Sequence, residues 1–355
     1  MPMTGGRNLA AEGTGLVPVS VVIPTCNRAT SLLAVLRALQ SQTVGQGGLE
    51  VIVVDDGSTD GTEAAVRNFR RDSPLDLIYH KQVNRGPAAA RNAGIARARH
   101  PLLVFLGDDT IPDPRFLEEH LACHRRHGMA DDLAVVGYTT WAARIRPSPF
   151  LRFIGEHGPQ FNYAAAREET PLGWGFFYTS NLSMSRGLLG RVACLFDEDL
   201  RSPLWEDSEL GFRLLRAGMR LYYHPRAVAY HDHDTDLGRF CRRLVEAGRV
   251  SRVLLRKHPE LESQLRSTAQ ARRWARLFGG LDGLVAAASF LDKPLRIPLP
   301  RAFYWALVHA SYVKGAADDP GDNTRVTVQR NEVGVRKGKK EKGGKGGKDR
   351  EMIRQ

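Results

Sequence analysis

Apolar residues in the first hundred positions fall into two alternating rhythms. Val17 to Pro24, Leu49 to Val54, Leu75 to Tyr79 and Pro101 to Leu106 are short, near-continuous apolar runs, as expected of strands buried on both faces. Between them, Thr30 to Gln40 sets Leu32, Leu33, Leu36 and Leu39 at helical spacing. Asp60 is placed to cap a following helix, and Pro87 opens another that runs through Ala98. This alternation predicts an α/β fold around a doubly wound, mostly parallel, Rossmann-like sheet. Such sheets bind ligands at the carboxyl ends of their strands.

After Val136 the pattern loosens. Residues 138 to 172, rich in Pro, Arg and aromatics, show no period and read as a long loop over the strand ends. Phe176 to Ser185 reads as a strand, Asp207 to Ala217 as a helix stopped by Gly218, and Arg220 to Tyr230 as one or two strands. From Leu237 to about His258, Leu237, Phe240, Cys241, Leu244 and Val245 form an apolar stripe. The opposite face carries Arg239, Arg242, Arg243, Arg249 and Arg252. Two further helical segments, near 260 to 291 and 299 to 314, complete the ordered part. This gives disordered ends at 1–16 and 316–355, a domain over 17–235 with halves meeting near 110, and a helical extension over 236–315.

The net charge of +12 is unevenly spread. Nine Lys/Arg and three Asp/Glu between Arg336 and Gln355 supply half of it. That Gly/Lys-rich stretch has almost nothing apolar to bury, so it reads as a solvated tail or as an anchor for nucleic acid or anionic lipid. Four scattered cysteines without C-x-x-C spacing fit a reduced compartment. The first residues have no apolar signal-peptide core, and no run reaches membrane-spanning length. The expectation is a cytoplasmic protein, with the inner face of the membrane as a second possible address.

The chemistry gathers in acidic clusters. Gly107-Asp108-Asp109 closes an apolar run, and two carboxylates there are costly unless solvated, paired or bound to a cation. Carboxylate oxygens suit Mg²⁺ or Mn²⁺, which commonly bridge protein to phosphate. The same three residues also make an ordinary turn.

Several ordered motifs sharpen this. Val53-Val54-Asp55-Asp56-Gly57-Ser58, Asn84-Arg85-Gly86-Pro87, Arg91-Asn92-Ala93-Gly94, Gly107-Asp108-Asp109, Ser180-Asn181-Leu182-Ser183 and Glu206-Asp207-Ser208-Glu209-Leu210 together resemble the signature of glycosyltransferase family 2, over about residues 17 to 235. The resemblance implies a GT-A fold, a nucleotide-diphosphate sugar as donor, Mn²⁺ or Mg²⁺ as cofactor, and inversion at the anomeric carbon. It places Thr25, Asn27 and Arg28 in the nucleotide pocket and Asp55 and Asp56 on the base and ribose. Arg91 falls near the pyrophosphate or the acidic cluster, Asp108 on the ribose or a metal-bound water, and Asp109 on the metal. Two positions depart from the pattern: Cys26 replaces a base-stacking aromatic, and Gly107 replaces the first aspartate of D-x-D.

Inverting transfer needs the acceptor hydroxyl deprotonated as it attacks, opposite the departing diphosphate. Asp207, beside Trp205 and Glu206, is the candidate base; a plain helix cap is the competing role. In His231-Asp232-His233-Asp234, a strand would put both imidazoles on one face. The resemblance offers His231 as a second metal contact, against a simple surface run.

The leading expectation is therefore an inverting, metal-dependent glycosyltransferase acting on a saccharide or lipid-linked acceptor. It would add one sugar or a few, on the reading that no Q-x-x-R-W follows the Glu206-Asp207 element and that no segment is apolar enough to span a membrane; peripheral membrane contact is possible through the basic face of the 237–258 helix. A nucleotidyltransferase of similar architecture would want a Gly-rich phosphate loop after the first strand, which Pro-Thr-Cys-Asn-Arg does not supply. A nucleic-acid-binding protein ranks last: the tail holds half the excess charge, no aromatic-basic RNA signature appears, and no specific nucleic acid partner is expected.

Overall fold

The computed structural model describes residues 17–45, 47–265 and 280–317. The expected disordered ends at 1–16 and from 318 onward lie outside these residues. Eight strands form one sheet: β1 (Val19–Thr25), β2 (Leu49–Asp56), β3 (Asp76–Gln82), β4 (Leu102–Leu106), β5 (Thr110–Pro112), β6 (Leu133–Trp141), β7 (Asn181–Ser185) and β8 (Arg220–His231). Their order is β3-β2-β1-β4-β7-β6-β8-β5. The first half is parallel, as the alternating pattern predicts, with β1 between β2 and β4. The second half is mixed. β7 runs antiparallel to both β4 and β6, while β6 and β8 are parallel and β5 closes the edge antiparallel to β8.

Helices α1 (Ala29–Gln40), α2 (Thr62–Asp72) and α3 (Pro87–Arg97) link the parallel strands. Leu32, Val35, Leu36 and Leu39 of α1 are buried against Val19, Val21 and Ile23, forming a core on one side of the sheet. Val22, Ile52 and Phe105 point to a second core on the other side, a consequence of the two-residue repeat of a strand. Gly94 of α3 lies so close to β1 that a Cβ there would come within 2.4 Å of Val22 Cγ1. The glycine is what lets this helix settle on the sheet.

Two stretches differ from the sequence pattern. Helix α4 (Phe116–Arg126) is not among the expected elements; its buried side mixes Phe116, Leu117 and Leu121 with the polar Glu119, His120 and His124. These are satisfied by partners elsewhere, such as His120 with Asn181 and His124 with Ser183. The region 138–172 is not one shapeless loop. β6 runs on to Trp141, and helix α5 (Pro149–Glu156) starts at Ser148, whose side chain accepts from the Leu151 N–H. The expected strand over 176–185 is shorter, beginning at Asn181 after a 3₁₀ turn at Trp174–Phe176.

Beyond α6 (Glu206–Arg216), the chain returns through β8 to α7 (Leu237–Lys257), α8 (Leu281–Asp292) and α9 (Arg301–Ala317). The apolar stripe of α7 is used internally. Leu237, Phe240 and Cys241 pack with Phe150, Leu281, Val285 and Tyr304, each large side chain contributing about 1.5–3 kcal/mol by burial. The α7–α9 crossing is close because glycines face each other's backbones. A Cβ on Gly315 would lie 1.7 Å from the Val245 carbonyl oxygen, and one on Gly248 would lie 2.1 Å from that of Tyr312. The apolar stripe of this helix is thus taken up by internal packing, while Arg239, Arg242 and Arg243 of its basic face stay exposed. No helix among the described residues is long and apolar enough to cross a membrane.

Candidate active site

The carboxyl ends of β1, β2 and β4 lie side by side, with Thr25 in register with Asp55. At the end of β2, Asp55 Oδ1 accepts from the Ser58 N–H at 2.7 Å, and Oδ2 accepts from the Tyr79 hydroxyl. Asp56 Oδ1 accepts from Gln82 Nε2 and the Arg85 N–H, each at 2.9 Å, and Oδ2 from the Gly86 N–H at 2.8 Å. Asp55 has no exposed surface, so direct contact of both carboxylates with a donor is not what this arrangement offers. The pair instead braces the loops after β2 and β3. Asn27 does the same after β1: at φ +56°, its Oδ1 accepts from the N–H groups of Thr59 (2.8 Å) and Asp60 (3.2 Å).

Cys26 sits half-buried beside this frame, with Asn84 Nδ2 3.6 Å from its sulfur. Burial pushes its thiol pKa up, Asn84 opposes this, and the charges of Asp56, Asp55 and Asp108 add to the rise. It is a neutral, small side chain at the position where the family pattern has an aromatic.

After β4 the chain turns tightly. The Gly107 N–H donates to the Ser180 carbonyl and the Thr110 N–H to that of Gly107. A Cβ at Gly107 would meet Thr110 Oγ1 at 2.7 Å, so an aspartate here would require Thr110 to shift. Asp108 Oδ2 accepts from Thr25 Oγ1 at 2.8 Å. Burial, and then the neighbouring Asp109 charge, push Asp108 up to about 7 against the pull of Arg28 and Thr25. Burial acts upward on Asp109 too, but His231, Arg28 and His233 outweigh it and hold this carboxyl well below the usual range. Arg28 Nη1 lies 2.6 Å from Asp109 Oδ2.

From the opposite side, β8 ends at His231, in register with Thr110 and Trp141. His231 Nε2 lies 3.5 Å from Asp109 Oδ1, and His233 Nδ1 lies 3.9 Å from Oδ2. The two rings stack 5.7 Å apart although His233 lies past the end of β8, so the expected strand spacing is not what pairs them. Asp109 and the His231 Nε2 that faces it are the groups in this corner that could hold a divalent cation; His231 Nδ1 is buried without a hydrogen-bond partner. No group of three His, Cys, Asp or Glu with metal-holding geometry occurs among the described residues. Phosphate oxygens and water would have to complete the shell, as hard cations commonly allow.

The second acidic cluster opens α6. Asp207 occupies the second helical position rather than the cap, and its Oδ1 accepts only from the N–H and hydroxyl of its neighbour Ser208. Glu206 is buried and receives Arg91 Nη1 at 2.9 Å. Burial and then the Asp207 charge push Glu206 up to about 7, with Arg91 opposing. Arg91 thus meets the second acidic cluster and not Asp108 or Asp109. Its pairing with Glu206, 115 residues away, has no signal in the sequence.

Aromatic rings gather at the first corner. Trp141 stacks on His231 at 5.6 Å, Phe161 meets His231 at 6.3 Å, and Phe161 meets Tyr178 at 5.4 Å. Burial, above all, raises the Tyr178 hydroxyl, and the Asp207 charge adds to the rise. Trp141 and Phe161, from the stretch 138–172 that carries no period, thus form an aromatic border at His231, which Tyr178 extends.

Comparison with known proteins bears on the family and the fold. Residues 20–191 match the Glycosyl transferase family 2 model. The chain is 31% identical over 279 residues to validoxylamine A glucosyltransferase of Streptomyces hygroscopicus subsp. jinggangensis, covering 71% of this chain and 64% of that protein. It is 30% identical over 248 residues to pre-mycofactocin glycosyltransferase of Mycobacterium tuberculosis, covering 70% and 49%. It therefore spans only 49–64% of the length of these relatives. In fold it is similar to the mannosyltransferase PcManGT of Pyrobaculum calidifontis, solved with GDP-Man and Mn²⁺, with a TM-score of 0.57 at 22% identity over 85% of this chain and 87% of that one. The sheet is that of the GT-A fold, and with its strand-end motifs in the family's order the chain belongs to glycosyltransferase family 2.

Proposed function

We propose that the protein transfers a sugar from a nucleotide-diphosphate donor to an acceptor hydroxyl, with inversion. The observation that carries this reading is the presence of two unlike acidic corners, one at the strand ends and one at the start of α6. One corner, Asp109 with His231, is shaped for a cation. The other offers Asp207, a carboxylate whose only hydrogen bonds are to Ser208.

Asp109 and His231 would hold Mn²⁺ or Mg²⁺, which supplies charge neutralisation at the leaving diphosphate when bound. Arg28, beside the same carboxylates, adds a fixed positive charge for phosphate oxygens. Thr25, Asn27, Asp55 and Asp56 shape the nucleotide pocket, chiefly by fixing the loops after β1, β2 and β3. Asp108, held by Thr25, lies at the ribose end. Asp207 takes the proton of the acceptor hydroxyl as it attacks, while Arg91 and Glu206 hold the start of α6 in place.

Gln270-Ala271-Arg272-Arg273-Trp274 spells Q-x-x-R-W, a pattern of processive family members, and it lies outside the described residues. The expectation that no Q-x-x-R-W follows Glu206-Asp207 is therefore wrong, one ground for single additions falls, and product length decides the matter. The test of the function is thermal stabilisation by UDP-, GDP- and dTDP-sugars with and without Mn²⁺. A donor at a hundred times its dissociation constant adds about 2.7 kcal/mol of stability. The productive donor is then used to read the anomeric configuration of the product. Absence of cation-dependent stabilisation by every donor, together with no turnover, would overturn the reading.

A further inference from the structure

Three of the four large hydrophobic side chains exposed among the described residues fall within eight positions. Phe290, Leu295 and Ile297 are 59%, 51% and 44% exposed. They belong to the end of α8 and the loop that follows it, and the Ile297 N–H donates back to the Leu291 carbonyl at 2.9 Å, which brings them together. Isolated exposed apolar residues need no explanation; a cluster on a built loop does.

The loop is held firmly from beneath. Asp292 is fully buried and accepts from the Phe150 N–H at 2.7 Å and from the Tyr304 hydroxyl at 2.6 Å. Pro294, Pro298 and Pro300 restrict the backbone. Arg296 adopts φ +53°, a left-handed conformation rare for a side chain of its size, and turns its guanidinium inward onto the carbonyls of Arg146 and Pro147. Leu295 and Ile297, on either side of it, remain exposed. A loop so fixed loses little conformational entropy when its apolar tips are buried elsewhere.

Charge identifies the partner. Arg146 and Arg301 are exposed, and neither they nor Arg296 has a carboxylate partner among the described residues. Apolar tips set among cations match the outer layer of an anionic bilayer, with the tips below the headgroups and the guanidinium groups at the phosphates. The position also matters. Lys293 is paired with Asp234 at 2.8 Å and Arg144 with Asp232, so this surface borders the His231–Asp234 segment that faces Asp109.

We propose that the segment from Phe290 to Arg301, with Arg146, docks the protein on an anionic phospholipid surface and so brings the rim of the active site to the bilayer. This is a different surface from the stripe of α7, and it goes beyond the transferase reading. Binding is measured without donor, so its failure leaves that reading untouched.

The experiment is co-sedimentation of the full chain with phosphatidylcholine vesicles with and without phosphatidylglycerol, at low salt and at about 0.5 M salt, where screening reaches only about 4 Å. Wild type and variants share the same Lys-rich tail, so its contribution cancels between them. Phe290→Ser/Leu295→Ser/Ile297→Ser should weaken partitioning onto anionic vesicles by about tenfold or more and abolish the part that survives high salt. Arg146→Glu/Arg301→Glu should lose binding chiefly at low salt. Leu295→Trp/Ile297→Trp should bind more tightly than wild type, a gain that misfolding does not imitate if the melting temperature is kept. Wild type that ignores anionic vesicles, or a triple serine variant that binds as wild type does at both salts, overturns the proposal.

Discussion

Arg91, one turn into α3, places Nη1 2.9 Å from Oε1 of Glu206, the first residue of α6. Both side chains are largely buried, and the Phe196 ring faces the guanidinium at 5.4 Å. Arg91 Nε and Glu206 Oε2 are left without hydrogen-bond partners. The ion pair fastens the parallel half of the sheet to the helix that carries Asp207, so the candidate base is positioned by a contact outside its own element.

That pair makes stability depend on pH. Glu206 titrates near 7 in the folded chain against an ordinary 4.5, the rise coming from burial and then the Asp207 charge. Between those values the native state holds a proton that the unfolded chain has released. This contribution to stability therefore falls as pH rises from about 4.5 through about 7. Glu206→Gln keeps a partner for Arg91 and removes the titration. Its melting temperature relative to wild type should climb between about pH 5 and pH 8; parallel profiles would refute the assignment.

Asp207→Asn should leave fold and donor binding intact, because the lost carboxylate bonds only to Ser208. Turnover should fall by about 10²–10⁴, the usual cost of losing a general base. Steady-state rates beside donor titrations on the same sample make the comparison. A rate within a few-fold of wild type returns Asp207 to a structural role.

Asp109→Ala removes the carboxylate that His231, His233 and Arg28 converge upon. Calorimetric titration with Mn²⁺ in the presence of a nucleoside diphosphate should show binding weakened by about 10-fold or more, in line with loss of a metal ligand or its close support. His231→Ala should weaken it as well, and chelation should mimic both in donor binding. Unchanged Mn²⁺ dependence in Asp109→Ala would remove the cation from this corner.

Gly315→Ala probes the α7–α9 crossing. Its Cβ would fall 1.7 Å from the Val245 carbonyl oxygen, a contact that only separation of the two helices relieves. A loss of about 1–3 kcal/mol is expected on overpacking grounds, read from denaturant unfolding. An unperturbed midpoint would mean that the crossing yields more easily than its geometry suggests.

Much of this protein was legible in the chain itself. The near-continuous apolar runs of β1, β2 and β4 need burial on both faces, which dictates a parallel sheet with helices on either side, and the polar residues after each run then share one edge. The motifs at Asp55-Asp56 and Asp108-Asp109 were visible because they end apolar runs, and Glu206-Asp207 because it opens an amphipathic one. Helix α4 and the region after Tyr138 were not read, because their buried positions mix aliphatic residues with polar and aromatic ones whose partners are distant in sequence. His120, for example, meets Asn181, and Trp141 meets His231.

Local sequence thus determined which residues end strands and begin helices, since turn chemistry and hydrophobic periodicity act within a few positions. Only the tertiary structure decided what those residues face. It turned Asp55 inward to Tyr79, gave Arg91 to Glu206 and brought both histidines to Asp109. It also buried the stripe of α7 while leaving Leu295 and Ile297 exposed. Each of those outcomes depends on the free energy of burying a charge or an apolar surface against a partner that folding supplies.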